Sequence, residues 1–229
     1  MTPAISVLCP TRGRPASARR AALSALETAA GDVEVVFYCD DDAGGSVPAG
    51  VAAWPEVSVV TGPRIVMSDM WNKCLEKASG DVVMQCADDI VFRTAGWDRL
   101  VLEAFAAYPD RIVLVYGDDL IHGEALATHS FAHRRWTDAT GYFTPPWFSC
   151  DYSDAWLYDV AKAIGRLHYL PGLVTEHLHP VAGKGDWDAS HRERLERGRR
   201  DNVGALYASL AARREQDAAK LRAVMGKVS

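Results

Sequence analysis

The stretch GDVVMQCADD, residues 80–89, places two adjacent aspartates directly after a run of mainly apolar residues. The run Asp81–Cys86 is typical of a buried β-strand, and Asp88 and Asp89 follow where that strand ends. Adjacent carboxylates at a strand end are costly unless they bind a cation or hydrogen-bond donors. Mg²⁺ and Mn²⁺ prefer oxygen ligands, often one or two carboxylates together with substrate phosphates. A solvated turn fits the isolated pair equally well, so the rest of the chain decides its interpretation.

Short apolar runs alternate with helical patterns through the first 120 residues. The predicted strands are Ala4–Cys9, Val33–Cys39, Val57–Thr61, Asp81–Cys86 and Arg111–Tyr116, and the predicted helices are Ala16–Ala29, Val66–Ala78 and Trp97–Tyr108. This alternation predicts an α/β fold with a mostly parallel sheet flanked by helices. Ligands of such sheets bind at the carboxyl ends of the strands. We therefore expect three polar clusters to meet in one crevice: Pro10-Thr11-Arg12, Asp40-Asp41-Asp42 and Asp88-Asp89.

The second half of the chain is less regular. We predict a strand or hairpin over Ala125–Thr140, a loop over Gly141–Cys150, a helix over Tyr152–Ile164 and a strand over Leu173–Leu178. Residues 189–224 are charged and alanine-rich, which predicts one long helical tail. We divide the chain into one domain, residues 1–185, and a C-terminal helical extension, residues 186–229. We expect the extension to pack on the same domain, and its apolar residues also suit a homodimer contact.

Side chains with metal-binding or acid–base chemistry appear late in the chain. His177 and His179 lie two residues apart on a predicted strand, so they share one face. Histidine is a common metal ligand, and a carboxylate–histidine site favours Mn²⁺ somewhat over Mg²⁺. Asp154 opens a predicted helix, where it either caps the helix or acts as a general base toward an acceptor hydroxyl. Asp151 remains an alternative for the same role.

Several cations lie in predicted loops, where they can neutralise a diphosphate. Arg12 and Arg64 each adjoin a strand end and are the strongest candidates, ahead of Arg14. Lys184 lies in the polar loop Gly183–Asp188, which is a candidate lid over a bound donor. An ordinary surface charge is the alternative interpretation for each of them.

Composition argues against several classes of protein. A net charge of −5 disfavours a general nucleic-acid binder. The five cysteines show neither zinc-ligand nor C-x-x-C spacing, which predicts reduced thiols in a cytoplasmic protein. The N-terminus does not have the pattern of a signal peptide. We also expect no transmembrane segment, because no stretch approaches the roughly 20 apolar residues that crossing a bilayer requires.

In their order and spacing these motifs resemble GT-A-fold glycosyltransferases of the family-2 type. The resemblance covers residues 4–180 and rests on Ile5–Arg12, the aspartates after the second strand, Asn72, and Ser79–Val82 leading to Ala87-Asp88-Asp89. It implies a GT-A, Rossmann-like fold and an inverting, metal-dependent enzyme. Such an enzyme moves one sugar from a nucleotide-diphosphate sugar, usually a UDP-sugar, to an acceptor hydroxyl.

The resemblance also implies a role for each candidate residue. Pro10, Thr11 and Arg12 would line the nucleotide pocket, Asp40 would meet the base, Arg64 the nucleotide or phosphates, and Asp88 the ribose or metal. Asp89 would coordinate the metal, which His177 or His179 would complete, and Asp154 would be the catalytic base. Lys184 is our own addition, reaching the diphosphate from its loop.

The chain departs from the family pattern at three points. Ala87 stands where many members have a third acid, and Ser153-Asp154 replaces a Glu-Asp pair. The Gln-x-x-Arg-Trp motif of processive members is absent, which predicts transfer of a single sugar. The acceptor stays open among a small molecule, a glycan, a protein and a modified DNA base.

Two other functions compete with this interpretation. A nucleotidyltransferase on a similar scaffold generally carries a glycine-rich loop after the first strand, whereas Gly13 is the only glycine in residues 1–30. A non-catalytic sugar- or nucleic-acid-binding module gains slight support from the arginine-rich tail. Because glutamates and aspartates are interleaved with those arginines, a solvated helix face is the better interpretation of the tail.

Overall fold

The computed structural model describes residues 3–227, which form eight strands and nine α-helices. The strands are β1 (Ile5–Thr11), β2 (Val33–Asp40), β3 (Val57–Gly62), β4 (Val82–Gln85), β5 (Ile90–Phe92), β6 (Leu114–Asp118), β7 (Ser130–His133) and β8 (Leu167–His177). The helices are α1 (Pro15–Thr28), α2 (Ala49–Ala52), α3 (Met67–Lys77), α4 (Trp97–Ala106), α5 (Arg134–Thr140), α6 (Ser153–Ala163), α7 (Ala189–Arg200), α8 (Val203–Ser209) and α9 (Ala211–Val224).

All eight strands belong to one sheet with the order β3-β2-β1-β4-β7-β6-β8-β5. The first half is parallel: β1 pairs with β2 and β4, and β2 pairs with β3. The second half is mixed, since β7 runs antiparallel to β4 and β6 while β8 runs parallel to β6. The predicted α/β fold with a mostly parallel sheet is confirmed.

Successive residues of the central strands enter opposite cores, which explains why the strands are apolar throughout. Val7 and Val35 pack on the side of α1 and α4 together with Trp97. Leu8 and Val36 pack on the other side. That second core also holds residues of α3, α5, α6 and α9, including Trp71, Trp136, Trp156 and Leu221. Helix α9 thus packs on the same body as the sheet.

The predicted strand or hairpin over Ala125–Thr140 is largely wrong. Only β7 is extended, and α5 begins directly after it, where the His133 side chain accepts a hydrogen bond from the backbone N–H of Arg135. Gly141 then ends the helix with a φ of +91°, a conformation that suits glycine. Local capping therefore overrides the strand pattern here.

The predicted long helix over residues 189–224 is also wrong, because the structure divides it into α7, α8 and α9. The first break follows α7 at Asn202, whose φ of +45° is a left-handed conformation that asparagine tolerates better than most residues. Leu210 separates α8 from α9. The breaks allow α9 to fold back onto α5 and α6.

Two smaller differences concern the strands around the site. The predicted strand Leu173–Leu178 is the second half of a longer strand, β8, which starts at Leu167. The apolar residues after Asp89 form the short strand β5, which pairs with that half of β8. Within residues 3–227 no helix has the length and apolar character of a membrane span. All five cysteines are free and buried.

Candidate active site

A cavity of about 220 Å³ lies at the carboxyl ends of the parallel strands. Because β1 lies between β2 and β4 and runs parallel to both, the residues that follow these strands meet at one edge of the sheet. The predicted convergence of the three polar clusters is confirmed. The sequence-predicted residues that line the cavity are Pro10, Thr11, Arg12, Asp40, Asp88, Asp89, Asp154, His177 and His179.

Arg12 and Asp40 form the first polar contact of the cavity. Nη1 of Arg12 donates to Oδ2 of Asp40 at 2.9 Å, and the same guanidinium also contacts the exposed carboxylate of Asp42. Asp40 is buried, and its Oδ1 has no hydrogen-bond partner. Burial raises the pKa of Asp40, although Arg12 opposes the shift. Asp40 therefore lines the cavity and has one buried acceptor that the protein does not use.

Asp88 has both carboxylate oxygens occupied by the protein. Thr11 Oγ1 donates to Oδ2 at 2.7 Å, and Arg14 Nη1 donates to Oδ1 at 2.7 Å. Burial is the largest influence and raises the pKa of Asp88 to about 6. Nε of Arg14 also donates to Asp188 at 2.7 Å, so Arg14 links the acidic pair to the start of α7. Arg14, which we ranked behind Arg12 and Arg64 as a candidate for diphosphate binding, is thus the loop cation that contacts Asp88 and Asp89.

Asp89 faces two histidines. Its Oδ1 lies 3.3 Å from Nε2 of His177, and its Oδ2 lies 3.6 Å from Nε2 of His191. Oδ1 is buried and has no hydrogen bond, and the same holds for Nδ1 of His177. Burial opposes ionisation, but the contacts with His177 and His191 lower the pKa of Asp89 well below its usual value. Asp89 is therefore a buried carboxylate whose Oδ1 contacts His177 without forming a hydrogen bond, and whose Oδ2 lies between His191 and Arg14.

His179 and His191 extend this group. The ring centroids of His177 and His179 are 5.1 Å apart, and those of His179 and His191 are 5.2 Å apart. Burial lowers the pKa of His179 to about 4, so its imidazole is neutral at pH 7. Within the described residues, no three acidic, histidine or cysteine side chains are already arranged around one metal position. A metal would require rotation of these side chains.

The structure distinguishes the two candidate bases at the start of α6. Asp151 has a φ of +52° and pairs with Nη1 of Arg194. Asp154 lies in the first turn of the helix, where its Oδ1 accepts a hydrogen bond from the N–H of Ala155 at 2.8 Å. Burial raises the pKa of Asp154. Both line the cavity, but the carboxylate of Asp151 is neutralised by an ion pair.

Two predicted donor-binding residues lie away from the cavity lining. Arg64 pairs with Glu193 and lines a neighbouring groove. Lys184 lies 3.2 Å from a carboxylate oxygen of Glu176 and 3.5 Å from the carbonyl oxygen of Leu120. The structure therefore does not bring Arg64 and Lys184 together with the other candidates, and their roles stay predictions.

Helix α7 forms a wall of the cavity that the sequence did not indicate. Ser190 Oγ donates to the carbonyl oxygen of Arg12 at 3.0 Å, and Glu193 lies 3.6 Å from Nε of Arg12. His191, Arg194 and Arg197 also line the cavity. In the sequence, these residues are part of an alternating charged pattern that looks the same on a solvated helix. The one sequence feature that separates α7 from an ordinary solvated helix is His191, a single histidine among arginines and glutamates.

Comparisons place this geometry among known folds. No protein-family model matches the sequence, and no curated protein matches it. Among solved structures, the fold is similar to that of the mannosyltransferase PcManGT from Pyrobaculum calidifontis, in complex with GDP-Man and Mn²⁺. The TM-score is 0.63 at 15% sequence identity, and the match covers 98% of this chain and 74% of PcManGT. TarS 1-349 from S. aureus, in complex with UDP, gives a TM-score of 0.60 at 14% identity over 76% of this chain and 59% of that one. The fold is GT-A. The fold that the sequence motifs implied is thereby confirmed, and residues at the carboxyl edge of this GT-A sheet are the ones that form the cavity.

Proposed function

We propose that this GT-A protein is a glycosyltransferase that moves one sugar from a nucleotide-diphosphate sugar to an acceptor hydroxyl. The observation that carries the proposal is Asp89, a buried carboxylate that contacts His177 and His191 and whose Oδ1 has no hydrogen bond. Asp40 and Asp154 both line the same cavity. Nucleotide sugar and acceptor hydroxyl would therefore meet between them.

The donor side of the proposal uses the ends of β1, β2 and β4. Pro10 and Thr11 would line the nucleotide pocket, and the free Oδ1 of Asp40 would accept a hydrogen bond from the base. Asp88 would reach the ribose by exchanging one of its present partners, Thr11 or Arg14. We propose a UDP-sugar as donor, with GDP-sugars as the test alternative because PcManGT was solved with GDP-Man.

The residues around Asp89 fit a divalent metal. A carboxylate oxygen and neutral imidazole nitrogens are ligands that Mn²⁺ accepts. Oδ1 of Asp89 and Nδ1 of His177 are buried without partners, which is costly unless a ligand engages them. Asp89 with His177 or His179 would hold the ion, and His191 is a further candidate ligand. When bound, such a metal supplies Lewis-acid stabilisation of the leaving diphosphate.

The chain's own residues account for the proton and charge movements. The acceptor oxygen attacks the anomeric carbon as the bond from that carbon to the diphosphate oxygen breaks, and the diphosphate leaves with the bonding electrons. Asp154 takes the acceptor proton during this step. Arg12 and Arg14 neutralise charge on the departing group. A single displacement without a covalent intermediate inverts the anomeric centre.

Donor hydrolysis without acceptor tests the metal-dependent part of the proposal. With Mn²⁺ present, we expect slow hydrolysis of a UDP-sugar or GDP-sugar by the unaltered protein. Asp89→Asn should abolish the metal-dependent rate while the thermal midpoint stays close to that of the parent. Asp186→Asn, which alters an exposed aspartate of the loop before α7, is the matched control. If neither UDP nor GDP binds in the presence of Mn²⁺ by calorimetry, the proposed function is wrong.

Asp154→Asn tests the base. Loss of general-base catalysis should lower turnover by about 10²- to 10⁴-fold. Donor affinity should change little, since the carboxylate acts on the acceptor. Asp151→Asn is the comparison variant, because Asp151 is neutralised by Arg194. If Asp151→Asn gives the larger loss of turnover at unchanged donor affinity, Asp151 is the base.

A further inference from the structure

We infer that Arg194 and Arg197 of α7 form a binding site for a phosphate group of a substrate. The inference deepens the proposed function and rests on it for the identity of that substrate. Both side chains line the cavity, and Arg197 also lines the neighbouring groove beside Ser149. They are three residues apart on one helix, so their side chains leave the same face.

Both guanidinium groups have unused donors in buried positions. Nε of Arg194 and Nε of Arg197 are buried without a hydrogen-bond partner. Among the described residues, the guanidinium of Arg194 uses only Nη1, in its contact with Asp151. Within residues 3–227, the guanidinium of Arg197 forms no hydrogen bond and no ion pair. Buried N–H donors without acceptors lower stability, which indicates that an acceptor is supplied from outside the chain.

The other arginines around the site are already engaged. Arg12 pairs with Asp40 and Asp42. Arg14 donates to Asp88 and Asp188. Arg197 differs from them in that it forms no direct ion pair within the described residues, although its charge interacts with the nearby carboxylates of Glu193 and Asp201.

The chemistry of the pair favours a phosphate. Two like charges one helical turn apart repel each other, and an anion between them removes that repulsion. The planar guanidinium fork matches phosphate oxygens and can donate two hydrogen bonds at once. A different explanation is that Arg197 stabilises the end of α7, since it lies in the last turn of that helix. That explanation predicts a stability effect without any effect on phosphate binding.

Calorimetry with inorganic pyrophosphate separates these explanations. We expect the parent protein to bind pyrophosphate and Arg197→Gln to bind it about 10-fold or more weakly. Arg197→Lys, which keeps the charge but not the fork, should recover part of the affinity. Arg199→Gln removes an exposed arginine of the same helical turn and is the matched control. Equal pyrophosphate affinity for the parent and Arg197→Gln would overturn the inference, whether or not the thermal midpoint falls.

A second pair of titrations identifies the source of the phosphate. If the site takes the donor's diphosphate, Arg197→Gln weakens UDP but leaves uridine unchanged. If the site takes a phosphate of the acceptor, Arg197→Gln leaves UDP affinity unchanged. In that case inorganic phosphate binds the UDP-saturated parent but not the UDP-saturated Arg197→Gln variant. Pyrophosphate binding that depends on Arg197, without binding of UDP or GDP to the parent, would retain the anion site and reject the glycosyltransferase proposal. Equal affinity of parent and variant for all these probes rejects the anion site alone.

Discussion

Asn72 holds the segment that leads to the candidate base, and its replacement by alanine should destabilise the protein measurably. Its Oδ1 accepts hydrogen bonds from the backbone N–H groups of Phe143 and Thr144, at 3.0 and 3.2 Å. Its Nδ2 donates to the carbonyl oxygen of Thr144 at 2.8 Å. One side chain on α3 thus fixes the loop that continues through Cys150 into α6 and Asp154.

The expected magnitude follows from the groups that Asn72→Ala leaves unpaired. The substitution removes the partner of two N–H groups and one carbonyl group, on residues that are both fully buried. An orphaned buried polar group costs about 1–3 kcal/mol. Asn72 itself is half-buried, so water can replace part of what is lost, and we expect a total of about 2–4 kcal/mol. For a chain of this size that corresponds to a fall in Tm of roughly 5–15 °C.

Urea and thermal unfolding measure this effect. Lys73→Ala is the matched control on the same helix, because the Lys73 side chain is partly exposed and its only described ion pair joins it to Glu76 at 2.7 Å. An exposed pair of this kind contributes at most about 0.5 kcal/mol. We also expect Asn72→Ala to lower turnover at temperatures where it remains folded, since the loop positions Asp154. If Asn72→Ala lowers the free energy of unfolding by less than about 1 kcal/mol, the Asn72 side chain does not hold this loop in place.

Three further predictions concern charged side chains. Burial raises the pKa of Asp154, and a general base must be deprotonated to act, so kcat should fall as the pH drops through that raised pKa. For Asp154→Asn, kcat should not change with pH over the same range. Glu193→Gln removes the ion pair of Arg64 and one of the three carboxylates near Arg12, so it should tighten UDP binding about two- to fivefold by calorimetry. The exposed Glu196→Gln is the control and should leave binding unchanged; weaker binding by Glu193→Gln would contradict competition by Glu193. Asp217 is a buried acceptor for the Tyr142 hydroxyl and for Nε1 of Trp156, the latter at 3.2 Å. Asp217→Ala should therefore lower the free energy of unfolding in urea by about 2–4 kcal/mol. An unchanged free energy of unfolding would show that water replaces the carboxylate.

The donor half of the site was predictable because parallel topology leaves little choice. Once Ala4–Cys9, Val33–Cys39 and Asp81–Cys86 are recognised as parallel neighbours, the residues that follow them must share an edge. The contact of Thr11 with Asp88 at 2.7 Å and that of Arg12 with Asp40 at 2.9 Å are the consequence. The roles of these residues follow from chemistry and not from the fold, so they remain predictions.

The contribution of α7 was not predictable from the sequence. Its charged residues recur at spacings that suit intrahelical pairs equally well, and nothing local shows that the helix crosses the strand ends. The position of His191 beside Asp89 depends on the path of the chain from β8 through residues 178–188. By contrast, the helix at Arg134–Thr140 has local features, a capping His133 and a terminating Gly141, that the strand prediction did not take into account.

The contacts of α7 explain how one helix can belong to the site and still admit a substrate. Glu193 gives Arg12 and Arg64 an internal anion, and Arg14 gives the acidic pair an internal cation. On the proposed function, donor phosphates and a metal carry the same charges, so they exchange partners with these side chains without leaving charges unpaired. The ion pairs at half-exposed side chains are individually weak, which keeps the cost of that exchange of partners low.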